Sequence, residues 1–140
     1  QPHNIAEVYA FIDNCGAEVD INSSINVRFE NGVFAGIVIS GNCPSPGGTH
    51  LAFIFDNGRV EIDGWGGGWI RVYEGSKRLD PPPITPDMSA GSADENFINA
   101  ILGRAEPRTS PANGIIHSEL MDAIYESART GQPARPKRIQ

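Results

Sequence analysis

Few residues of this 140-residue chain have the types and spacing that enzyme chemistry requires. Of its three histidines, His50 opens a strand-like segment. It is either a candidate for the edge of a substrate site or a polar residue at a strand start. His117 lies on a predicted helix without the second ligand at i+4 that a helical zinc site uses. No serine, histidine and aspartate form a nucleophilic set by spacing. We therefore predict no catalytic, cofactor-binding or metal-binding residue in this chain.

The glycine-rich stretch GWGGGW, residues 64–69, suggests nucleotide binding at first sight. A dinucleotide fingerprint needs its glycines between a parallel strand and a helix N-terminus, and a P-loop also ends in Gly-Lys-Ser/Thr. Here the glycines lie between two strand-like segments, and the lysine is absent. The preferred interpretation is a strand connection in which the backbone approaches a neighbour closely.

Charge and cysteine content exclude several classes of function. The net charge of −6 argues against a nucleic-acid partner, and no apolar run of about 18 residues predicts a membrane span. Cys15 and Cys43 lack a zinc pattern and favour buried free thiols in a cytoplasmic protein over a disulfide. Arg28, midway along a predicted strand, could form an ion pair or bind an anion.

The elements that position these residues are mainly antiparallel hairpins. Asn-Gly at 31–32 and at 57–58 predicts two-residue type I′ turns, because both central residues of that turn need φ > 0. The predicted cross-strand pairs are Ile25–Val38, Phe29–Phe34, Phe53–Ile62 and Phe55–Val60. This register collects the large apolar side chains on one face, the predicted core. A first strand over 7–13 and a third hairpin at Glu74-Gly75 complete an open sheet of about six strands.

The reverse face of this sheet is mixed in character. It carries charged residues together with aliphatic ones, whereas a sheet face that meets water usually alternates more cleanly. We predict that it contacts another protein surface, with ordinary exposed aliphatics as the alternative. The predicted oligomer interface consists of Arg28, Val33, Ile37, Ile39 and Glu61.

Two helices follow a proline-rich segment at 80–91. Ser92 and Glu95 form a capping box before a short helix with an apolar face. A long helix begins at Ser110-Pro111 and ends at Gly131. We expect both helices to cover the apolar face of the sheet. The predicted fold class is α+β: one domain over residues 1–140, with an open, mainly antiparallel sheet and helices packed on one face.

Residues 95–136, ENFINAILGRAEPRTSPANGIIHSELMDAIYESARTGQPARP, resemble the C-terminal end of the Gfo/Idh/MocA oxidoreductases. In that family a short Phe-x-x-Ala-Ile helix is followed by a proline-containing loop and a long helix. Residues 7–65 are similar to the start of the family's open sheet. The resemblance implies a C-terminal domain that closes a substrate site and forms homo-oligomers through the sheet. It also implies an N-terminal Rossmann domain that binds NAD or NADP, and a sugar or polyol as substrate.

The family's catalytic motifs, Glu-Lys-Pro and Asp-x-x-x-His, are absent here, so the resemblance assigns no catalytic residue to this chain. We expect these residues to be the substrate-site and oligomerisation domain of a longer cytoplasmic dehydrogenase, inactive alone. A stand-alone, non-catalytic binding or scaffold domain of the same fold is the alternative. A small-ligand module that uses residues 64–69 and His50 is a third, which an open sheet disfavours.

Overall fold

The computed structural model describes residues 4–44, 49–63, 69–80 and 91–138. Within these ranges the elements are β1 (Ile5–Asp13), β2 (Asn22–Phe29), β3 (Phe34–Ser40), β4 (His50–Phe55), β5 (Gly58–Asp63), β6 (Ile70–Glu74), β7 (Lys77–Leu79), α1 (Ala93–Ile101) and α2 (Pro111–Thr130). The strands pair antiparallel in two open sheets, ordered β1-β2-β3 and β4-β5-β6-β7. The predicted α+β class is confirmed. The elements fall into two compact units: β1–β3 with both helices, and β4–β7. The segment 64–68 of the GWGGGW stretch lies outside the described residues.

The core of the first unit lies between its sheet and α2. Alternate residues of a strand face the same side, so β1 and β2 each present a row of side chains to the helix. The buried apolar residues are Val8, Ala10, Ile25, Val27, Ala123, Ile124 and Ala134. Burying each of the larger ones contributes about 1.5–3 kcal/mol, which makes this layer the main source of the unit's stability.

Helix α2 begins and ends where the sequence predicts. The Ser110 side chain accepts a hydrogen bond from the backbone N–H of Asn113, and Pro111 occupies the first turn. At the other end Gly131 takes φ 66° and its N–H donates to the carbonyl of Ser127. These caps confirm the predicted boundaries.

After Gly131 the chain returns to the edge of β1. Val8 and Ala134 exchange two backbone hydrogen bonds of 2.8 and 2.9 Å. The fully buried Ser127 hydroxyl accepts from the N–H of Ala10 (3.1 Å) and donates to the carbonyl of Gln132 (2.7 Å). One side chain therefore ties the helix, the first strand and the tail together.

The first hairpin closes through a longer turn than predicted. The N–H of Gly32 donates to the carbonyl of Phe29 (3.0 Å), and the N–H of Phe29 donates to the carbonyl of Val33 (2.8 Å). Gly32 has φ 87°, while Asn31 does not adopt a positive φ. The connection is thus a three-residue loop ending in a glycine bulge, and the predicted type I′ turn is wrong.

This longer loop shifts the register by one residue, so Ile25 lies opposite Ile37 and Arg28 opposite Phe34. A slip of one residue moves every side chain of β3 to the other face. Ile37 therefore lies on the helix side of the sheet, where the prediction placed Phe34 and Val38. Those two residues lie on the exposed side instead.

The second hairpin is displaced by two residues, with Phe53 opposite Val60 and the turn at residues 56–57. A shift of two preserves the faces, so the predicted apolar set stays together. Gly58 belongs to β5 itself. A Cβ at Gly58 would overlap the carbonyl oxygen of Tyr73, so close backbone approach, not a positive φ, requires glycine there.

The short helix α1 forms near its predicted position, but its apolar face is exposed. It contributes no buried residue, and Phe97, Ile98, Ile101 and Leu102 are all accessible to solvent. Of the described helices in the first unit, α2 is the one that packs on the sheet, against β1. The expectation that both helices cover the sheet is met by α2 only.

Both cysteines are exposed free thiols, so their predicted burial is wrong. Cys15 lies in the polar turn between β1 and β2, and such connections run over the surface. Neither described helix has the length and apolarity to cross a membrane.

Candidate functional site

One side of the second sheet carries a ladder of arginines and aromatic rings. Because side chains alternate along each strand, the pairing of β4 to β7 brings one row of side chains from every strand to this side, and most of them are polar or aromatic. We call it the arginine–aromatic face: His50, Ala52, Ile54, Arg59, Glu61, Asp63, Trp69, Arg71, Tyr73 and Arg78.

Glu61 is the centre of this face. Its carboxylate accepts a hydrogen bond from Nε of Arg59 at 2.8 Å and lies 3.9 Å from Nη1 of Arg71. The hydrogen bond from Arg59 lowers the pKa of Glu61 below its ordinary value; partial desolvation opposes this effect, and electrostatic interactions with Arg59, His50 and Arg71 support it. The same hydrogen bond raises the pKa of Arg59. Arg59 and Glu61 therefore both stay charged at neutral pH.

The two arginines beside Glu61 also stack on aromatic rings. Cζ of Arg59 lies 3.7 Å from the ring centroid of Tyr73, and Cζ of Arg71 lies 4.0 Å from that of Trp69. The ring of His50 is 5.8 Å from Trp69. Cation–π contact restricts the guanidinium groups while their in-plane N–H donors stay available to a partner.

The residue types on this face are those of recognition surfaces. It holds no pairing of a nucleophile with a base, and among the described residues no three His, Cys, Asp or Glu side chains are placed to share a metal ion. Arginine, tyrosine and tryptophan are the residues enriched at the energetic centres of protein interfaces. His50, the candidate for a substrate edge, lies on this face beside Trp69, and Glu61 of the predicted interface lies at its middle.

The exposed side of the first sheet is a second candidate. Phe34 and Val38 are 82% and 81% exposed, and Tyr9 packs edge-on against the exposed Phe11 at 5.1 Å. Phe34 and Val38 escaped the sequence-based prediction because the side of the sheet on which they lie depends on the length of the β2–β3 loop. The sequence signal that could have indicated them is that β3 carries apolar residues on both faces.

Arg28 lies on that same exposed side and has a partner. Its guanidinium forms a 2.8 Å ion pair with Glu7 on the neighbouring strand. The cross-strand ion pair is thus the alternative that the structure supports for Arg28, and its place on the reverse face is as predicted.

The structure divides the four predicted interface residues of the first unit between the two sides of its sheet and the turn before β3. Ile37 and Ile39 lie on the helix side of β3, and Val33 is exposed in the turn before it. Arg28 occupies the opposite side, and Glu61 belongs to the second unit. The one-residue register slip is the reason for the division within the first sheet.

A cleft of about 440 Å³ opens in the first unit between the β1–β2 connection and the C-terminal half of α2. It is lined by Ile12, Asn14, Glu18, Val19, Asp20, Tyr125, Ala128 and Arg129. The phenol of Tyr125 donates to Asp20 at 3.0 Å, and this hydrogen bond, with burial and the carboxylate charge, raises the pKa of Tyr125. The phenol thus stays protonated and acts as a tie between helix and loop.

Comparison with solved structures finds chains of the same architecture. The WlbA dehydrogenase from Bordetella pertussis, in complex with NADH and UDP-GlcNAcA, matches 98% of this chain over 41% of its own, with TM-score 0.73 and 23% identity. The aldose-aldose oxidoreductase from Caulobacter crescentus, complexed with glycerol, matches 95% over 42%, with TM-score 0.77 and 22% identity. An NAD-binding protein from Listeria innocua matches 96% over 46%, with TM-score 0.73 and 20% identity. This chain shares their fold.

The match covers less than half the length of each of these chains. At the level of sequence, no protein-family model and no curated protein matches this chain. The neighbours named here include NAD-binding proteins and oxidoreductases, which agrees at that coarse level with the resemblance in the sequence.

Proposed function

We propose that this chain is the substrate-site and oligomerisation domain of an NAD(P)-dependent sugar or polyol dehydrogenase of the Gfo/Idh/MocA type. The observation that carries the proposal is the match of nearly the whole chain to under half of several oxidoreductase chains. A nucleotide sugar is bound in one of these proteins and glycerol in another, which supports a polyhydroxylated substrate. In this proposal the enzyme works in the cytoplasm and an N-terminal Rossmann domain completes it.

The described residues do not fit a dinucleotide. Every strand pair is antiparallel, and no glycine turn among them joins a parallel strand to a helix N-terminus, where a pyrophosphate would bind. We therefore assign NAD or NADP to the remainder of the polypeptide and derive no catalytic step from this chain.

The oligomerisation part of the proposal rests on the exposed sheet faces. The pair of Phe34 and Val38 replaces Ile37 and Ile39 as the apolar centre of the surface in the first unit, with Arg28 at its border. Large apolar side chains left in water on an ordered sheet are typical of a surface that a partner covers.

The experiment is a cofactor and activity assay on the full-length polypeptide. We expect it to reduce NAD or NADP with members of a panel of sugars and polyols, followed by the absorbance of the reduced nicotinamide. Residues 1–140 alone should give no saturable binding of NADH in calorimetric titration. Tight NADH binding by residues 1–140, or a full-length polypeptide that binds no nicotinamide, would contradict the proposal.

A full-length polypeptide that binds no nicotinamide would favour the alternative, a non-catalytic binding or scaffold domain. The arginine–aromatic face favours that alternative, because its residue types are those of recognition surfaces.

The role of His50 is tested within the active enzyme. If it lines the substrate site, His50→Gln raises KM severalfold, whereas Arg78→Gln, on the outermost strand of the same face, leaves KM unchanged.

A further inference from the structure

We propose that the cleft between the β1–β2 connection and the C-terminal half of α2 binds a free basic amino acid, lysine or arginine. In this complex Arg129 pairs with the α-carboxylate of the ligand, while Glu18 and Asp20 pair with its two cationic groups. All the residues that line the cleft belong to the first unit. The inference goes beyond the proposed dehydrogenase and does not depend on nicotinamide chemistry.

Both walls of the cleft are ordered by backbone interactions of their own. In the β1–β2 connection the chain reverses at Cys15 and Gly16, which have φ 51° and 83°, and the N–H of Ala17 donates to the carbonyl of Asn14 at 2.8 Å. The other wall is the end of α2, which is capped at Gly131. The volume of about 440 Å³ lies within the range of about 300–1,000 Å³ that small-molecule sites occupy, and such sites are usually largely pre-formed.

Charged groups of both signs line the cleft without pairing with each other. Two carboxylates, those of Glu18 and Asp20, come from the β1–β2 connection, and the guanidinium of Arg129 comes from the last turn of α2. Among residues 4–44, 49–63, 69–80 and 91–138, none of these three side chains takes part in an ion pair. A ligand with charges of both signs can therefore pair with all three without breaking an existing ion pair.

Tyr125 holds the carboxylate of Asp20 in a fixed orientation. The phenol donates to Oδ1 of Asp20 at 3.0 Å and joins residues that are 105 positions apart in sequence. In the described part of the chain, Oδ2 of Asp20 accepts no side-chain hydrogen bond. A carboxylate offers about four lone-pair sites, so most of the acceptor capacity of Asp20 stays available to an ammonium or guanidinium group.

The number and signs of the charges favour a basic amino acid over other small ligands. Two carboxylates and one guanidinium complement a molecule with two cations and one carboxylate, which is the charge pattern of free lysine and arginine. A diamine would leave the guanidinium unpaired, and a dicarboxylate would meet two like charges. Apolar contact for the methylene chain of the ligand comes from Ile12, Val19 and Ala128.

The first test compares four ligands by isothermal titration calorimetry on the full-length protein. L-Lysine and L-arginine should bind saturably with a Kd of about 1 mM or lower, the range that several exposed charge pairs support. Cadaverine lacks the α-carboxylate and L-norleucine lacks the side-chain cation, so each should bind about fivefold more weakly than L-lysine. Equal Kd values for all four ligands, or no saturable binding of L-lysine and L-arginine, would overturn the proposal.

The second test reverses the charge that is assigned to the ligand carboxylate. Arg129→Glu should raise the Kd for L-lysine about tenfold and lower the Kd for cadaverine about tenfold, because the cleft then holds three carboxylates. Glu18→Gln and Asp20→Asn should each raise the Kd for L-lysine about fivefold. The control is Glu30→Gln, which removes an exposed carboxylate beyond the opposite end of β2 and should leave the Kd unchanged.

Loss of structure cannot produce this exchange of preference, because an unfolded cleft would bind neither ligand. Arg129→Glu that keeps the wild-type circular dichroism spectrum and weakens both ligands would contradict the proposal. Wild-type Kd values for Glu18→Gln and Asp20→Asn would also contradict it, because the ligand would then bind elsewhere. If Arg129→Glu does not fold, the comparison of the four ligands on the wild type decides the question.

Failure of this proposal is distinguishable from failure of the proposed function. A full-length polypeptide that reduces NAD or NADP and binds no basic amino acid overturns the cleft ligand alone. One that binds L-lysine with the predicted dependence on Arg129 and shows no nicotinamide chemistry overturns the dehydrogenase and leaves the cleft ligand in place.

Discussion

Replacing Ser127 with alanine should destabilise the first unit far more than a surface serine would. The hydroxyl is fully buried and serves two backbone groups, the N–H of Ala10 and the carbonyl of Gln132. Alanine leaves the N–H of the buried Ala10 without a partner, at about 1–3 kcal/mol, and removes the bond to the carbonyl of the exposed Gln132, at about 0.5–1.5 kcal/mol. Alanine recovers about 0.5 kcal/mol of helix propensity. We therefore expect a loss of about 3 kcal/mol.

The matched control is Ser118→Ala in the same helix. The hydroxyl of Ser118 is exposed and donates to the carbonyl of Gly114, one turn earlier (3.2 Å). Its removal should change stability by no more than about 0.5 kcal/mol. Urea denaturation followed by far-ultraviolet circular dichroism measures both variants, and the Ser127→Ala curve should move its midpoint without changing its slope.

A clear result would refute this reasoning. If the two serine variants lose the same free energy of unfolding, the buried hydroxyl is not the tie between helix, strand and tail. Hydrogen exchange gives a second readout, because the N–H of Ala10 should exchange faster in Ser127→Ala and not in Ser118→Ala.

Four further substitutions test three other features. Gly58→Ala should lower the free energy of unfolding by about 2 kcal/mol or more, because the added methyl group meets the carbonyl oxygen of Tyr73. Its control is Gly114→Ala on α2, where the space is open, and this substitution should raise the free energy of unfolding by about 0.5–1 kcal/mol in the same urea assay. Equal effects of the two substitutions would contradict this reasoning. Tyr125→Phe should be destabilising at neutral pH, and the difference in Tm should vanish as pH rises above the ordinary phenol value of 10.0 and through the raised pKa. A difference that persists at high pH would count against the bond to Asp20. Glu61→Gln should lower Tm at neutral pH, and the difference should shrink as pH falls below 4.5 and through the lowered pKa; a difference independent of pH would argue against the ionised ladder.

The sequence predicts α2 closely because its signals are local. A capping serine, a proline in the first turn and a glycine after the last turn each satisfy backbone groups within a few residues of themselves. Ser127 was not predicted, because its burial depends on the tail returning to β1, more than a hundred residues away in sequence.

The register of the hairpins could not be predicted from the sequence, for a different physical reason. Asn-Gly suits a two-residue turn and equally the last positions of a three-residue loop, and these two turns differ by one residue of register. In the first hairpin the two-residue turn would place Ile37 on the exposed side, whereas the three-residue loop places Val38 there. Local turn energetics alone does not choose between them.

The ladder around Glu61 was only partly predictable. Glu61 itself was placed on the reverse face from the alternation of β5, whereas Trp69, Arg71 and Tyr73 were not singled out. Their spacing of two along one strand was a usable signal. Recognising what they contact needs the pairing of β5 with β6, which comes from the structure.

The tie between the ends of the chain has a kinetic consequence. The hydrogen bond from Ala10 to Ser127 spans 117 residues of sequence, and contacts of such separation slow folding because a large loop must close before they form. During synthesis the strands β1 to β3 leave the ribosome long before α2 does. The apolar side of these strands is exposed until α2 has been synthesised. Chaperone binding and aggregation of nascent chains should therefore occur mainly in that interval.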